Sequence, residues 1–237
     1  MADFKWEYLF NVEIALDSLP FILEGAWQTI LIALVSMFFA LIMGLFVALA
    51  RMNRFIGLSL PARLFISFMR GTPLLVILFI LYFGFPMVGI EMEPLTAAII
   101  GISVHFSAYT AEIIRSAISS VSKGQWEAAE TLRMSYWQTM TRIILPQATR
   151  IALPPLSSTF MDIIKGTSLA MVITVSEMFY RAKVVVGQTY ESLTLYILVA
   201  LIYWAICALV TLLQDYLEKK SKPLCGSVIG GRLYDQS

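Results

Sequence analysis

Residues 26–50 read AWQTILIALVSMFFALIMGLFVALA, with no charged side chain. As a helix this run would extend about 37 Å at 1.5 Å per residue. The hydrocarbon core of a bilayer needs only about 20 apolar residues. The stretch is therefore a spanning helix, and it sets the solvent for the rest of the chain. Four more candidates follow at about 64–85, 95–118, 151–175 and 193–213. The second carries Arg70 and Gly71-Thr72-Pro73 near its start. The third holds His105, Glu112 and Arg115, the fourth holds Asp162 and Lys165, and the fifth is uncharged. The expectation is an all-α, polytopic membrane protein of five transmembrane helices.

Composition agrees. Of 237 residues, 59% are hydrophobic and only 14% charged, against about 45–50% and 25% in soluble domains. The net charge of +1 excludes the strongly basic surface of a nucleic-acid binder. Cys207 lies in an apolar run and Cys225 in a polar tail, so no disulfide framework is expected. No His/Cys cluster suggests a metal site. The first ten residues, MADFKWEYLF, lack the basic start and small-residue cleavage site of a signal peptide.

Lysine and arginine placement sets the direction. Arg51, Arg54 and Arg63 follow the first span without an accompanying acid. Glu91 and Glu93 follow the second. Lys123, Arg133, Arg142 and Arg150 follow the third, Arg181 and Lys183 the fourth, and Lys219, Lys220, Lys222 and Arg232 the last, so the heavier loops alternate. The N-terminus is expected outside and the C-terminus in the cytoplasm. The organisation expected is an external segment 1–22, a transmembrane unit 23–220 with a cytoplasmic loop at about 119–150, and a flexible tail 221–237. No internal repeat appears, so the chain looks like half of a pathway.

The loop between spans three and four reads SVSKGQWEAAETLRMSYWQTMTRIILPQATR over 120–150. Trp126, Ala129, Leu132, Tyr136, Met140 and Ile143 recur every three or four residues, an apolar stripe on one helix or two short ones. Such a helix either lies in the lipid interface or docks in a groove of another protein. Within the spans, ionisable residues are functional candidates. Ser158, Thr159, Asp162 and Lys165 can share a face of the fourth span. Asp162 would meet an ammonium group and Lys165 a carboxylate, or the two would neutralise each other. Tyr109, Glu112 and Arg115 mark the inner end of the third span, more as a brace than as a solute contact. Pro73 beside Arg70 frees a carbonyl and suggests a break suited to gating. His105, the single histidine, reads as an interhelical hydrogen-bonding residue rather than a proton relay.

Glu127-Ala128-Ala129 followed by Ile144-Leu145-Pro146 resembles the EAA loop of ABC-importer permeases. Arg70-Gly71-Thr72-Pro73-Leu74-Leu75, Tyr82-Phe83-Gly84, Ala108 to Arg115, Lys123 to Ala129, Pro146-Gln147-Ala148 and Lys165 to Leu169 are similar to the polar amino acid branch, in order, over roughly residues 20–220. The resemblance implies the type I importer permease fold in a bacterial inner membrane. It implies a second permease chain, identical or homologous, two ATP-binding subunits that use ATP and Mg, and an extracytoplasmic solute-binding protein. It makes the EAA loop the coupling helix, with Trp126, Glu127, Ala128, Ala129, Leu132 and Arg133 at the ATPase. This sequence has no G-x-x-x-x-G-K-[ST] phosphate loop, so ATP is expected to bind another chain. No cofactor is expected in this one.

Three departures stand out. Arg133 replaces a usual Gly, so the turn there either stays right-handed or is strained, or the arginine adds a contact to the partner. Ile77 stands for a frequent Gln and Gly166 for a frequent Asp, which removes polarity near the expected pathway. Two other functions compete with the importer permease: an ion-coupled carrier working alone through Asp162, Glu112 and His105, and a non-transporting scaffold.

Overall fold

A computed structural model describes residues 10–221. The expected tail 221–237, apart from its first residue, and the first nine residues lie outside them. Every regular element among the described residues is helical. The first uncharged run forms α2 (Ala26–Met52), preceded by a short α1 (Val12–Leu23). The second candidate is not one straight helix. α3 (Ile56–Gly71) ends at Thr72-Pro73, and the chain turns by 103° into α4 (Leu74–Phe79) and its continuation to Val88. Pro73 cannot donate to a preceding carbonyl, and it biases Thr72 toward the extended backbone it adopts, so the helix stops there. The expected span at 64–85 thus joins parts of two elements, bent by 103° at the break.

The third span is α5 (Pro94–Ser119). The loop that follows contains α6 (Lys123–Thr131), a turn, and α7 (Tyr136–Thr139). α7 runs on through a π-helical turn at Met140–Ile144 into α8 (Leu145–Gly166) and a 3-10 segment at Thr167–Ile173. The helix that carries the expected fourth span therefore starts near residue 136, and the second half of the loop continues into it. The Ser135 capping box opens it: Ser135 accepts from Gln138 N–H and the Gln138 amide oxygen from Ser135 N–H. α9 (Met178–Thr189) and α10 (Ser192–Ser221) complete the chain.

α5 is the central post. Over its most apolar 18 residues 61% are buried, against 28% in α2 and 22% in α10. α2 presents Ser36, Ala40, Gly44 and Ala48, each four residues apart and all buried, to α5. Lipid tails are as apolar as leucine, so helices associate in a bilayer by close van der Waals contact and hydrogen bonds, which small residues permit. A Cβ on Gly44 would overlap the Thr110 hydroxyl and sit 3.0 Å from the Ser107 carbonyl oxygen. Across the same seam the Thr110 hydroxyl donates to the Ala40 carbonyl at 2.7 Å. A separate apolar cluster joins Ile22 of α1, Met178 and Ala182 of α9 and Leu195 of α10. The exposed side chains Phe38, Phe46, Trp204, Leu209 and Leu213 form the outer surface of α2 and α10.

Candidate functional site

The polar face of α8 is open. Ser158, Asp162 and Lys165 are exposed on the single chain, and Lys165 Nζ lies 2.7 Å from Asp162 Oδ1. Each of the two charged side chains keeps more than half of its surface, 59% and 58%. Charges in a spanning helix are not left against acyl chains, so this face borders water or another chain. Ser158 is 40° around the helix from Asp162, and Lys165 60° on the same side. Thr159 does not join them. It is buried, and its hydroxyl donates to the Pro155 carbonyl at 2.9 Å. The shared face expected for all four therefore holds three: Thr159 lies 60° beyond Asp162 and rotates into the packing. Ser158 donates to the Pro154 carbonyl at 3.3 Å, which leaves its lone pairs free to accept.

Lys165 and Ser168 border a cavity of about 210 Å3 whose far wall is Phe179, Tyr196 and Tyr203. Phe179 and Tyr196 stack at 5.5 Å between ring centres. Beneath them lies a residue that sequence reading missed. Glu177 is fully buried as the N-cap of α9. Its carboxylate accepts from the N–H of Phe179 at 2.9 Å, the N–H of Tyr180 at 2.7 Å and the Tyr203 hydroxyl at 2.7 Å. Burial pushes the carboxyl up to about 6, and those three donors hold it from rising further. The signal was slight: one acid in an apolar stretch, just ahead of a helix.

At the other end of α5, charges converge. Glu112 pairs with Arg115 one turn on, at 3.3 Å, and with Arg51 from the end of α2. Arg70 stands over the Tyr109 ring at 5.5 Å. Tyr109, Glu112 and Arg115 thus tie the ends of α2 and α3 to α5, a geometry that braces. A polar cavity of about 350 Å3 opens here between Arg70, Glu112, Arg115, Ser116 and Pro155. His105, farther along α5, is buried beside the rings of Phe106 and Tyr109, and its Nδ1 has no partner among the described residues.

The connector forms two short helices, so its apolar stripe splits. Ala129 is buried, and buried Met140 and half-buried Trp126 pack with Ile118, Val121 and Ile144. Trp126 stacks on Tyr136 at 6.1 Å. Glu127, Ala128, Leu132 and Arg133 face outward, with Leu132 73% and Trp137 71% exposed. The Glu127 carboxylate makes no ion pair among the described residues. Arg133 has φ +52°, so the turn is left-handed. The N–H of Met134 donates to the Ala129 carbonyl at 3.0 Å and that of Arg133 to the Glu130 carbonyl at 2.8 Å. This is a Schellman stop with arginine where glycine is favoured. Left-handed backbone costs a non-glycine residue about 1–2 kcal/mol. Arg133→Gly is expected to steady the turn, slowing chymotryptic cleavage at Leu132 and Tyr136 about fivefold for 1 kcal/mol. Unchanged cleavage would show that the turn carries no such strain.

A bundle of membrane-crossing helices with a charged inner face and an outward-facing connector helix defines a transport subunit that works with other chains. The family model of the binding-protein-dependent transport system inner membrane component matches residues 40–223. The chain belongs to that family: it is a permease subunit of an ABC importer, a multi-pass membrane component whose ATPase is a separate subunit. It is 57% identical over 216 residues, 91% of this chain and 96% of the other, to the probable amino-acid ABC transporter permease protein YckA of Bacillus subtilis strain 168. It is 43% identical over 202 residues, 85% and 86% of the two chains, to the L-cystine transport system permease protein TcyB of the same organism. Among solved structures, an amino acid ABC transporter crystallised with histidines superposes with TM-score 0.82 at 32% identity, covering 86% of this chain and 96% of that one. The MetNI methionine transporter, at 17% identity and TM-score 0.70, shares the fold. Membership in an ABC importer family sets aside the carrier working alone and the scaffold.

Proposed function

We propose that this chain forms half of the membrane pathway through which a polar amino acid enters a bacterial cell. A second permease chain, identical or homologous, completes the pathway. An extracytoplasmic binding protein delivers the solute, and two ATP-binding subunits use ATP and Mg beneath. The N-terminus lies outside and the C-terminus inside, which puts α6 in the cytoplasm as the coupling helix. The observation that carries this reading is the uncovered Ser158–Asp162–Lys165 face inside a spanning helix. A face with one carboxylate and one ammonium complements a zwitterion. The names of the similar proteins, amino-acid and L-cystine permeases, support the same solute class.

The mechanism follows from that placement. Alternating access needs a site whose affinity differs between two states, and ATP binding elsewhere must shift their populations. Trp126 packs α6 against the cluster of Ile118, Met140 and Ile144 at the inner ends of α5 and α8, so a push on Glu127, Ala128, Leu132 and Arg133 reaches the helix that bears Asp162. The Glu112 brace, with Arg115, Arg70 and Tyr109, keeps the ends of α2 and α3 moving with α5. The broken helix at Pro73 supplies a hinge for gating. Reconstitution in liposomes with the ATP-binding subunits and the binding protein tests the reading. Labelled amino acids are expected to accumulate only with ATP inside the compartment that holds the ATPase. Uptake by the chain alone on an ion gradient would overturn it.

A further inference from the structure

The corner where α2 ends, α3 begins and α5 approaches its end holds a cavity of about 380 Å3 lined by Arg51, Met52, Arg63, Arg115 and Ser119. Among the described residues Glu112 is the only acid bonded to these arginines, and it serves Arg51 and Arg115 together. Arg63 has no ion-pair partner among the described residues. Three cations against one anion leave a surplus of two positive charges. Residues 25–90, which hold all of α2 and α3, contain no Asp or Glu to balance it. Guanidinium groups present planar pairs of N–H donors that match two phosphate oxygens.

What surrounds the cavity decides the source of that phosphate. Ile56, Leu60, Leu64 and Phe68 form an exposed apolar row along α3, and Phe55 is exposed on the turn before it. Arg63 sits beside that row, one helical turn from Leu60. On α2, Met52 shares a face with Leu45, seven residues and about 10 Å farther into the membrane. There Leu41, Leu45, Ile114 and Ile118 line an apolar cleft of about 260 Å3 with α8. A soluble anion would use the charges and leave the apolar surface unanswered. A molecule with a phosphate head and acyl chains uses both. We propose that this corner binds the headgroup phosphate of an acidic phospholipid from the surrounding leaflet, with its acyl chains along α3 and the α2 cleft.

The purified full chain in detergent tests this by its melting temperature. Dioleoylphosphatidylglycerol is expected to raise it by about 5 °C at saturation over dioleoylphosphatidylcholine. Arg63→Gln should lose most of that increment. Arg54→Gln, exposed on the neighbouring turn and outside the cavity lining, should keep it. Native mass spectrometry of the unaltered chain gives a reading that needs no variant: phosphatidylglycerol adducts should outlast phosphatidylcholine adducts. Equal shifts with the two lipids, a full shift in Arg63→Gln, or an equal shift from inorganic phosphate alone would overturn the proposal. So would an Arg63→Gln chain that keeps its lipid response and loses only its association with the ATPase, which would make the corner a protein contact.

Discussion

Glu127→Lys is expected to abolish ATP-driven uptake by the assembled complex while leaving the chain inserted and folded. Folding is spared because Glu127 is exposed and its carboxylate makes no ion pair among the described residues. An exposed Glu-to-Lys change within a helix shifts stability by about 0.5 kcal/mol or less. The neighbours divide the labour: Ala129 is buried against the chain, whereas Glu127 and Ala128 present themselves to whatever docks beneath. A carboxylate reversed to an ammonium at a docked surface turns an attraction into a like-charge contact worth several kcal/mol. At roughly 3 kcal/mol that is a loss of more than a hundredfold in coupling. The measurement is uptake and ATP hydrolysis side by side in proteoliposomes, with gel filtration to establish that the chain is folded. Normal uptake by the assembled Glu127→Lys complex would remove α6 from the coupling role. Glu127→Gln should fall between, because it loses the charge without reversing it.

The same division explains what sequence could and could not convey. The uncharged run of α2 was legible because lipid imposes a length and a composition on every crossing helix. Breaks and rotations were not. The Gly71-Thr72-Pro73 triplet signalled an interruption, but a 103° turn is set by what α4 packs against. Ser158, Thr159, Asp162 and Lys165 fit one face by spacing alone, but they cover an arc of about 120°; burial of Thr159 at 7% exposure shows that its edge of that arc falls on the packed side. Arg51 was counted as a topological charge and proves to hold Glu112. The stripe Ser36, Ala40, Gly44 and Ala48 has the four-residue spacing of a helix seam, yet it hid inside a run whose uniform apolarity drew the attention. α1 and α9 are too short to span and too apolar to float, and only their joint cluster around Ile22 and Met178 accounts for both. For Arg133, the sequence left a left-handed strained turn and a right-handed one open, and the backbone takes the former.

Asp162 and Lys165 pose the sharpest question about the solute, since the structure shows them bonded to each other. A pair that merely neutralises itself and a pair that opens for a ligand differ in how their variants combine. In the first case, Asp162→Asn and Lys165→Met each strand one charge, and the double variant, which strands none, restores transport. In the second, each single variant removes one contact to the zwitterion, and the double variant removes both. A hydrogen bond to a charged group contributes about 1.5–3 kcal/mol, so each single change should raise the concentration for half-maximal uptake by about 10- to 150-fold. The place of Lys165 at the edge of the cavity lined by Tyr196 and Tyr203 argues for the second case, because an ammonium there can leave Asp162 for a ligand in that space. The expected result is therefore a double variant weaker than either single one, with Ser158→Ala adding a smaller loss at the same face. Recovery of uptake in the double variant would return the pair to a purely structural role. It would then shift the search for the solute contact to the polar cavity between Arg70, Glu112 and Arg115, where the remaining charges near the pathway are gathered.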